Sequence, residues 1–186
     1  MKKIIIILLC AMFLLGCSSS AGEENRVLQL RAALQGGNGC CFDAVITADY
    51  GQKTYTFAMG CQFDAHGNLS FAVKEPKTIA GITGQINNEG GNLTFDGNVL
   101  AFPLLADGHA SPISAPWLLF RSLAGGYLRS YTQEDGLLHI TVDDSYEEDA
   151  MTLEIWLNAS NQPVRAEILY KNRRILTVTI ENFQIL

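Results

Sequence analysis

The chain has 186 residues, 48% of them hydrophobic and 17% charged, with a formal charge of −6 and a mean hydropathy of +0.13. The acidic balance excludes nucleic acid as a partner, because neutralising phosphates needs a Lys/Arg stripe and none appears. A helical membrane span is excluded as well: the longest apolar run, Ile4 to Leu15, has twelve residues, where a bilayer needs about 20.

That run sits behind Met1-Lys2-Lys3, a short cationic start, and has the length of a signal-peptide core. It ends in Leu14-Leu15-Gly16-Cys17, followed by Ser18-Ser19-Ser20. The pattern resembles the bacterial lipobox, in which cleavage before the Cys frees its amine and the thiol takes a diacylglycerol. The chemistry requires a thiol at the membrane surface and a small residue before it. Residues 1–16 are therefore read as a lipoprotein signal, Cys17 as the lipidation site carrying palmitate-type chains, and residues 17–22 as a flexible tether. Losing Lys2 and Lys3 leaves 11 basic against 19 acidic residues, a mature charge of −8. Two or three acyl chains on one Cys give stable anchoring where a single chain holds only marginally. The expected location is the extracytoplasmic face of a bacterial membrane.

Residues 23–186 read as one domain. Glu23 to Gln35 places Val27, Leu30 and Leu34 at helical spacing and stops at Gly36-Gly37. Strand patterns follow: Phe42 to Tyr50, Lys53 to Phe63, Asn68 to Lys74, Ile79 to Ile86, Asn92 to Phe95 and Asn98 to Phe102. Asp96-Gly97 between the last two favours a primed hairpin turn. Leu104 to Pro112 reads as a loop. Ser114-Ala115-Pro116 starts a second helix, with Ser114 as cap, Trp117, Phe120 and Leu123 as its stripe, and Gly125-Gly126 as its end. Five more strands complete the chain: Tyr127 to Gln133, Leu137 to Asp143, Met151 to Leu157, Val164 to Lys171 and Ile175 to Phe183. Short turns between adjacent strands predict an up-and-down antiparallel sheet. The fold class is mainly β (α+β), about eleven strands with an N-terminal and a central helix.

Three cysteines remain in the domain: Cys40, Cys41 and Cys61. A two-residue loop at Tyr50-Gly51 sets Cys40 opposite Cys61, and a three-residue loop sets Cys41 opposite Cys61. Either register is compatible with a cross-strand disulfide; the alternative is buried free thiols.

Chemistry-bearing motifs are few. His66, His109 and His139 lack metal-ligand spacing, no G-x-S-x-G elbow presents a nucleophile, and the Gly-rich stretches lack the Lys-Ser/Thr of a phosphate cradle. The acidic run Asp143 to Asp149 lacks the alternation of a Ca²⁺ loop and reads as a solvated hairpin tip. No cofactor, no metal and no catalysis are expected.

Several segments resemble the lipoprotein-localisation (Lol) carrier superfamily: Phe71-Ala72-Val73-Lys74-Glu75-Pro76, Ile79-Ala80-Gly81-Ile82, Leu93-Thr94-Phe95-Asp96-Gly97, and Ile155-Trp156-Leu157-Asn158 followed by Gln162-Pro163-Val164-Arg165-Ala166-Glu167-Ile168. The Pro112 to Gly126 segment most resembles small lipoproteins of Gram-positive bacteria. The resemblance implies a curved, unclosed half-barrel with helices as a lid over an apolar cavity. It implies an apolar or amphipathic ligand (lipid, acyl chain or lipopeptide) between sheet and helices. An alternative is a regulatory lipoprotein that docks an envelope protein on its sheet. Candidate lining residues are Phe57, Met59, Phe71, Val73, Phe95, Leu100, Phe102, Trp117, Phe120, Ile140, Ile155, Trp156 and Ile168, with a cavity expected beneath Trp117 and Phe120.

The anchor is directly testable. Cys17→Ala should abolish labelled-palmitate incorporation and move the protein out of the membrane fraction; a variant that stays labelled and membrane-bound would overturn the lipobox.

Overall fold

The computed structural model describes residues 19–49, 51–103, 105–106, 109–148 and 150–186; the signal and Cys17 lie outside them. Helix α1 (Ser19–Gly36) leads into β1 (Cys40–Asp49), β2 (Thr54–Phe63), β3 (Leu69–Glu75), β4 (Thr83–Asn87), β5 (Gly90–Phe95) and β6 (Asn98–Phe102). Two short strands, β7 (Leu105–Ala106) and β8 (His109–Ala110), a 3₁₀ turn (Pro112–Ser114) and α2 (Ala115–Gly125) follow. The chain ends in β9 (Tyr127–Glu134), β10 (Leu137–Asp143), β11 (Met151–Leu157), β12 (Pro163–Tyr170) and β13 (Arg173–Ile185). Among the described residues, no helix is long and apolar enough to cross a membrane.

Eleven strands form one antiparallel sheet in the order β6-β5-β4-β3-β2-β1-β13-β12-β11-β10-β9. The expected meander is present, but in two halves joined through the first and last strands. Its edges, β6 and β9, are unpaired with each other, so the half-barrel is open. The expected primed turn is present at Asp96 and Gly97, with φ of +49° and +79°, and Asp135 and Gly136 form a second with +50° and +80°. Register shifts interrupt the ladders at Cys41/Asp43, Ala58/Met59, Thr141/Val142, Trp156/Leu157 and Ile168/Leu169. Such irregularities add local twist, which curls a wide sheet. At the first, Asn182 takes φ +53° and its amide donates to Asp43 Oδ2 at 3.0 Å.

One face of every central strand is apolar and buried. Phe42, Ala44 and Ile46 of β1 continue into Val178 and Ile180 of β13, Ala166 and Ile168 of β12, Leu153 and Ile155 of β11, and Leu138 and Ile140 of β10. Both helices pack on this concave side, and α2 is in contact with β2, β10 and β13. From α1, Val27, Leu30 and Leu34 enter the core. Arg26 pins the same helix to the β11–β12 turn, donating from Nε to Asn161 Oδ1 at 2.6 Å and from Nη2 to the Asn158 carbonyl at 2.8 Å.

Four expectations change. The first helix begins at Ser19, so residues 19–22 of the expected tether are helical. Ile79 to Ile86 is strand only from Thr83, because hydrogen-bonded turns occupy the preceding residues, with Gly81 at φ +91°. Ser114 does not cap α2: its hydroxyl donates to the Ser111 carbonyl at 2.9 Å, and the 3₁₀ turn provides the entry.

The fourth concerns the cysteines. Asp49 pairs with Thr54 across a loop of four residues, so Cys40 lies opposite Phe63 and Cys61 opposite Phe42. The cause is an Asx turn: Asp49 Oδ1 accepts the Gly51 N–H at 2.8 Å, which lengthens the loop. Cys40 and Cys61 are then diagonal neighbours on the concave face, at roughly 7–8 Å, beyond the reach of a disulfide. Cys41 points to the other face. All three are free thiols.

Burial, and then the neighbouring Cys41, pushes the Cys40 thiol up to about 12; burial raises Cys61 as well. The thiolate is the reactive form. Iodoacetamide on the native protein at pH 8 should therefore mark Cys41 and spare the other two, while denaturation without reductant should expose all three. Loss of two thiols under the latter condition would restore the disulfide.

Candidate functional site

The concave face is filled at its centre and open at two places. The filling is aromatic. Phe120 of α2 stacks on Phe42 with centroids 4.2 Å apart and lies 5.8 Å from Phe183 and 6.0 Å from Phe63. Eight of the eleven residues of α2, including Trp117 and Phe120, are buried, so the helix is apolar nearly all round.

Both ends of α2 are fastened. Trp117 Nε1 donates to the Gly67 carbonyl in the β2–β3 turn at 2.8 Å, and the Arg121 guanidinium lies 5.1 Å from the Trp117 ring. At the other end, Arg31 Nη2 donates to the Gly126 carbonyl at 2.8 Å and Gln35 Nε2 to the Ala124 carbonyl at 2.7 Å. These α1 side chains serve carbonyls that a helix C-terminus leaves unpartnered, and the guanidinium meets the negative end of the dipole. Burial lowers the pKa of Arg31. Gly126, at the end of the helix, is a close-packing glycine: a Cβ there would lie 2.6 Å from Val142 Cγ1 and 2.7 Å from the Ser122 carbonyl. In this structure α2 is a latched plug.

The sequence candidates divide accordingly. Met59, Phe71, Val73, Trp117, Phe120, Ile140, Ile155 and Ile168 are buried in one core. Trp117 and Phe120 therefore do not roof the cavity expected beneath them, because Phe42, Phe63 and Phe183 occupy that space. Phe57 and Phe102 are partly buried against the core. Trp156 is a correction: alternation in β11 buries Leu153, Ile155 and Leu157 and turns Trp156 to the convex face. There it stacks on His139 at 4.6 Å, lies 4.8 Å from the Arg165 guanidinium, and donates from Nε1 to Glu134 Oε2 at 2.9 Å.

Phe95 and Leu100 mark the first opening. They stand 53% and 65% exposed on the concave side of the wing formed by β4, β5 and β6. Cross-strand pairs put Leu100 beside Leu93, Leu93 beside Gly84 and Gly84 beside Phe71, one apolar row running into the core. Two glycines keep this row shallow. A Cβ on Gly84 would lie 2.4 Å from Phe71 Cζ, and one on Gly91 would lie 2.2 Å from Phe102 Cζ, so each ring lies flat over a bare backbone.

The second opening lies at the barrel mouth. A pocket of about 460 Å³ is lined by Asp49, Ala110, Tyr170, Lys171, Arg173, Ile175 and Leu176. It lies between the ends of β1, β12 and β13 and the segment leading into α2. Leu176 and Ala110 are buried, while Lys171 and Arg173 are exposed. Phe95 and Leu100 of the first opening are among the sequence candidates, whereas Lys171 and Arg173 of the second are not. The acidic run uses its carboxylates locally: Asp144 Oδ1 accepts the Met151 N–H at 2.8 Å and Asp143 Oδ1 accepts from Thr152 Oγ1 at 2.8 Å. Among the described residues no cluster fit for a metal ion occurs.

No protein-family model matches the sequence, and no curated protein matches it. Similar solved structures include a LolA superfamily protein from Nitrosomonas europaea, 9% identical, covering 86% of this chain and 92% of that one at a TM-score of 0.44. Lipoprotein LppX from Mycobacterium tuberculosis is 14% identical over 89% of this chain and 96% of its own, with a TM-score of 0.41. The complex of the CwlD amidase and the GerS lipoprotein from Clostridioides difficile matches at 13% identity, 87% and 94% coverage and a TM-score of 0.42.

The plugged centre has a measurable consequence. Phe120→Ala removes a ring with stacked neighbours and should cost about 3–5 kcal/mol in urea unfolding; a cost below about 1 kcal/mol would mean that the space under α2 is not filled.

Proposed function

We propose that the chain is a lipid-anchored extracytoplasmic protein that binds an apolar or amphipathic ligand on its concave face, without catalysis. Anchoring would come from acyl chains on Cys17. The observation that carries this reading is the exposed pair Phe95 and Leu100 on the β4–β6 wing, beside the partly buried Leu93 and Phe102 and continuous with the core through Phe71. Among the described residues, both helices pack on the other half of the face and neither covers this half. Water contact with such a surface is unfavourable by roughly 25 cal/mol per Å², so covering about 150 Å² contributes roughly 4 kcal/mol before association costs. Large exposed apolar patches in a folded domain mark interaction sites. Phe42, Phe63 and Phe183 fill the centre beneath Phe120, which favours the open parts of the concave face over the space under α2 as the ligand's seat.

A second reading is favoured by a different observation on the same wing. Strand β6 is a free edge, and Val99 on its convex side is 69% exposed. An unprotected edge with apolar side chains on both faces suits strand addition by an envelope protein.

Phe95→Ser combined with Leu100→Ser separates binding from folding, since both side chains are largely solvated. The double variant should keep its melting temperature and lose at least half of the Nile red fluorescence enhancement of the parent protein. An unchanged enhancement would remove the wing as the ligand site. A photo-crosslinker at Val99 that captures a protein in native membranes, with Nile red binding unaffected, would favour the edge-docking reading.

A further inference from the structure

We propose that the pocket at the barrel mouth binds the anionic head of a single-chain amphiphile, a phosphate or carboxylate on an alkyl tail. The inference rests on the reading of the chain as a binder of amphipathic ligands and adds the chemistry of the head and the place it occupies.

The argument begins with charge. The mature chain carries −8, and most of its strand cations are committed. Lys74 pairs with Asp43, Arg129 with Asp143 at 3.4 Å, and Arg165 and Arg174 both with Glu167, the latter at 2.9 Å. Lys171 and Arg173 have no carboxylate partner among the described residues. They stand two residues apart, Lys171 within a hairpin turn and Arg173 at its exit, and both line the same pocket. Lys171 and Asn172 hold φ +49° and +60°, which is the primed turn geometry. The turn sets Lys171 Nζ 5.2 Å from the Tyr170 ring. Arg173 pairs with Tyr170 across the hairpin, so its side chain shares the Tyr170 face.

Among the described residues the pocket also contains one acid. Asp49 is on its rim, and one of its oxygens is engaged with the Gly51 amide. The rim therefore has a net charge of about +1 in a molecule that is otherwise strongly acidic. An ammonium and a planar guanidinium fork on one rim are suited to a phosphate or carboxylate, the fork binding two oxygens at once. The remaining lining is apolar: Leu176, Ile175 and Ala110 form a floor where concave sheet meets the segment leading into α2. A free inorganic anion would find no use for that floor, and a neutral hydrocarbon none for the rim. The volume of about 460 Å³ is within the range of small-molecule sites.

Binding to the mature lipoprotein in mild detergent is measured by native mass spectrometry with dodecyl phosphate, inorganic phosphate and dodecanol as probes. The parent protein should bind dodecyl phosphate at least a hundredfold more tightly than inorganic phosphate. Lys171→Gln with Arg173→Gln should weaken dodecyl phosphate at least tenfold and leave dodecanol unchanged. Both residues are exposed, and an unaltered melting curve confirms that the fold is kept. Ile175→Ser should weaken dodecyl phosphate with no effect on inorganic phosphate. Equal affinity for inorganic phosphate would make this a free-anion site and overturn the proposal, as would dodecyl phosphate binding that the cation variants do not affect. Loss of dodecyl phosphate binding in Phe95→Ser/Leu100→Ser alone would move the amphiphile to the wing, overturning the mouth site while the broader reading stands. Failure of both amphiphiles to bind would overturn both.

Discussion

The pairing of the first strand with the last sets the rest of the architecture. From Cys40 against Ile185 to Ala48 against Leu176, β1 and β13 run together along nearly their whole length. With that ladder in the middle of the sheet, β6 and β9 become its two edges. Ten inter-strand steps of about 4.8 Å separate them along the curve. The chain must still pass from one edge to the other between residues 103 and 126. A curled sheet offers one short route, across its own open concave side. The central helix is therefore where it is because the termini are paired, and its composition follows from that position.

A helix laid across an apolar trough has no solvated face of normal width. Buried residues from Ala115 to Leu123 match that demand, and the fastening at each end suits a helix that must not tilt. Trp117 reaches the β2–β3 turn, while Arg31 and Gln35 extend from α1 to the last carbonyls. Because eleven strands present more concave surface than two helices can cover, some of it is left over. The β9–β12 side receives α1, the middle receives α2, and the β4–β6 wing receives neither. Leftover surface, and not a hollow core, is what this fold makes available for binding.

Much of this was legible in sequence because strand periodicity and turn chemistry are local. Asp96-Gly97 and Asp135-Gly136 specify positive φ at consecutive residues, which few other dipeptides accept, and the hairpins stand where those pairs stand. The errors arose where a local signal depended on a phase or a length. Trp156 follows Ile155, so period two cannot send both inward; Met151, Leu153 and Leu157 fix the phase in favour of Ile155. The cysteine register failed by one or two residues because Asp49 folds its carboxylate back on Gly51, a side-chain bond that a loop count omits. The filling beneath Phe120 was invisible for a different reason. Phe42, Phe63 and Phe183 come from β1, β2 and β13, and only the non-local pairing of the termini brings them under one helix.

The same non-local pairing explains why the two openings differ in character. On the convex face, opposite charges are close enough to pair, and Glu167 takes Arg174 from the neighbouring strand and Arg165 two residues back along its own. At the mouth, strands end and turns begin, so a side chain there has fewer cross-strand partners. Lys171 lies in such a turn and Arg173 at its exit, and both line a pocket whose other described residues are Asp49, Tyr170 and the apolar Ala110, Ile175 and Leu176. The apolar row of the wing contains no cation: Leu100, Leu93, Gly84 and Phe71 follow one another across the strands, and Phe95 pairs with Asn98. An amphiphile meeting this concave face would thus encounter charge at one end of the barrel and uninterrupted hydrocarbon on the wing. That polarity, produced by where strands end and not by any motif, is the feature that composition alone conceals.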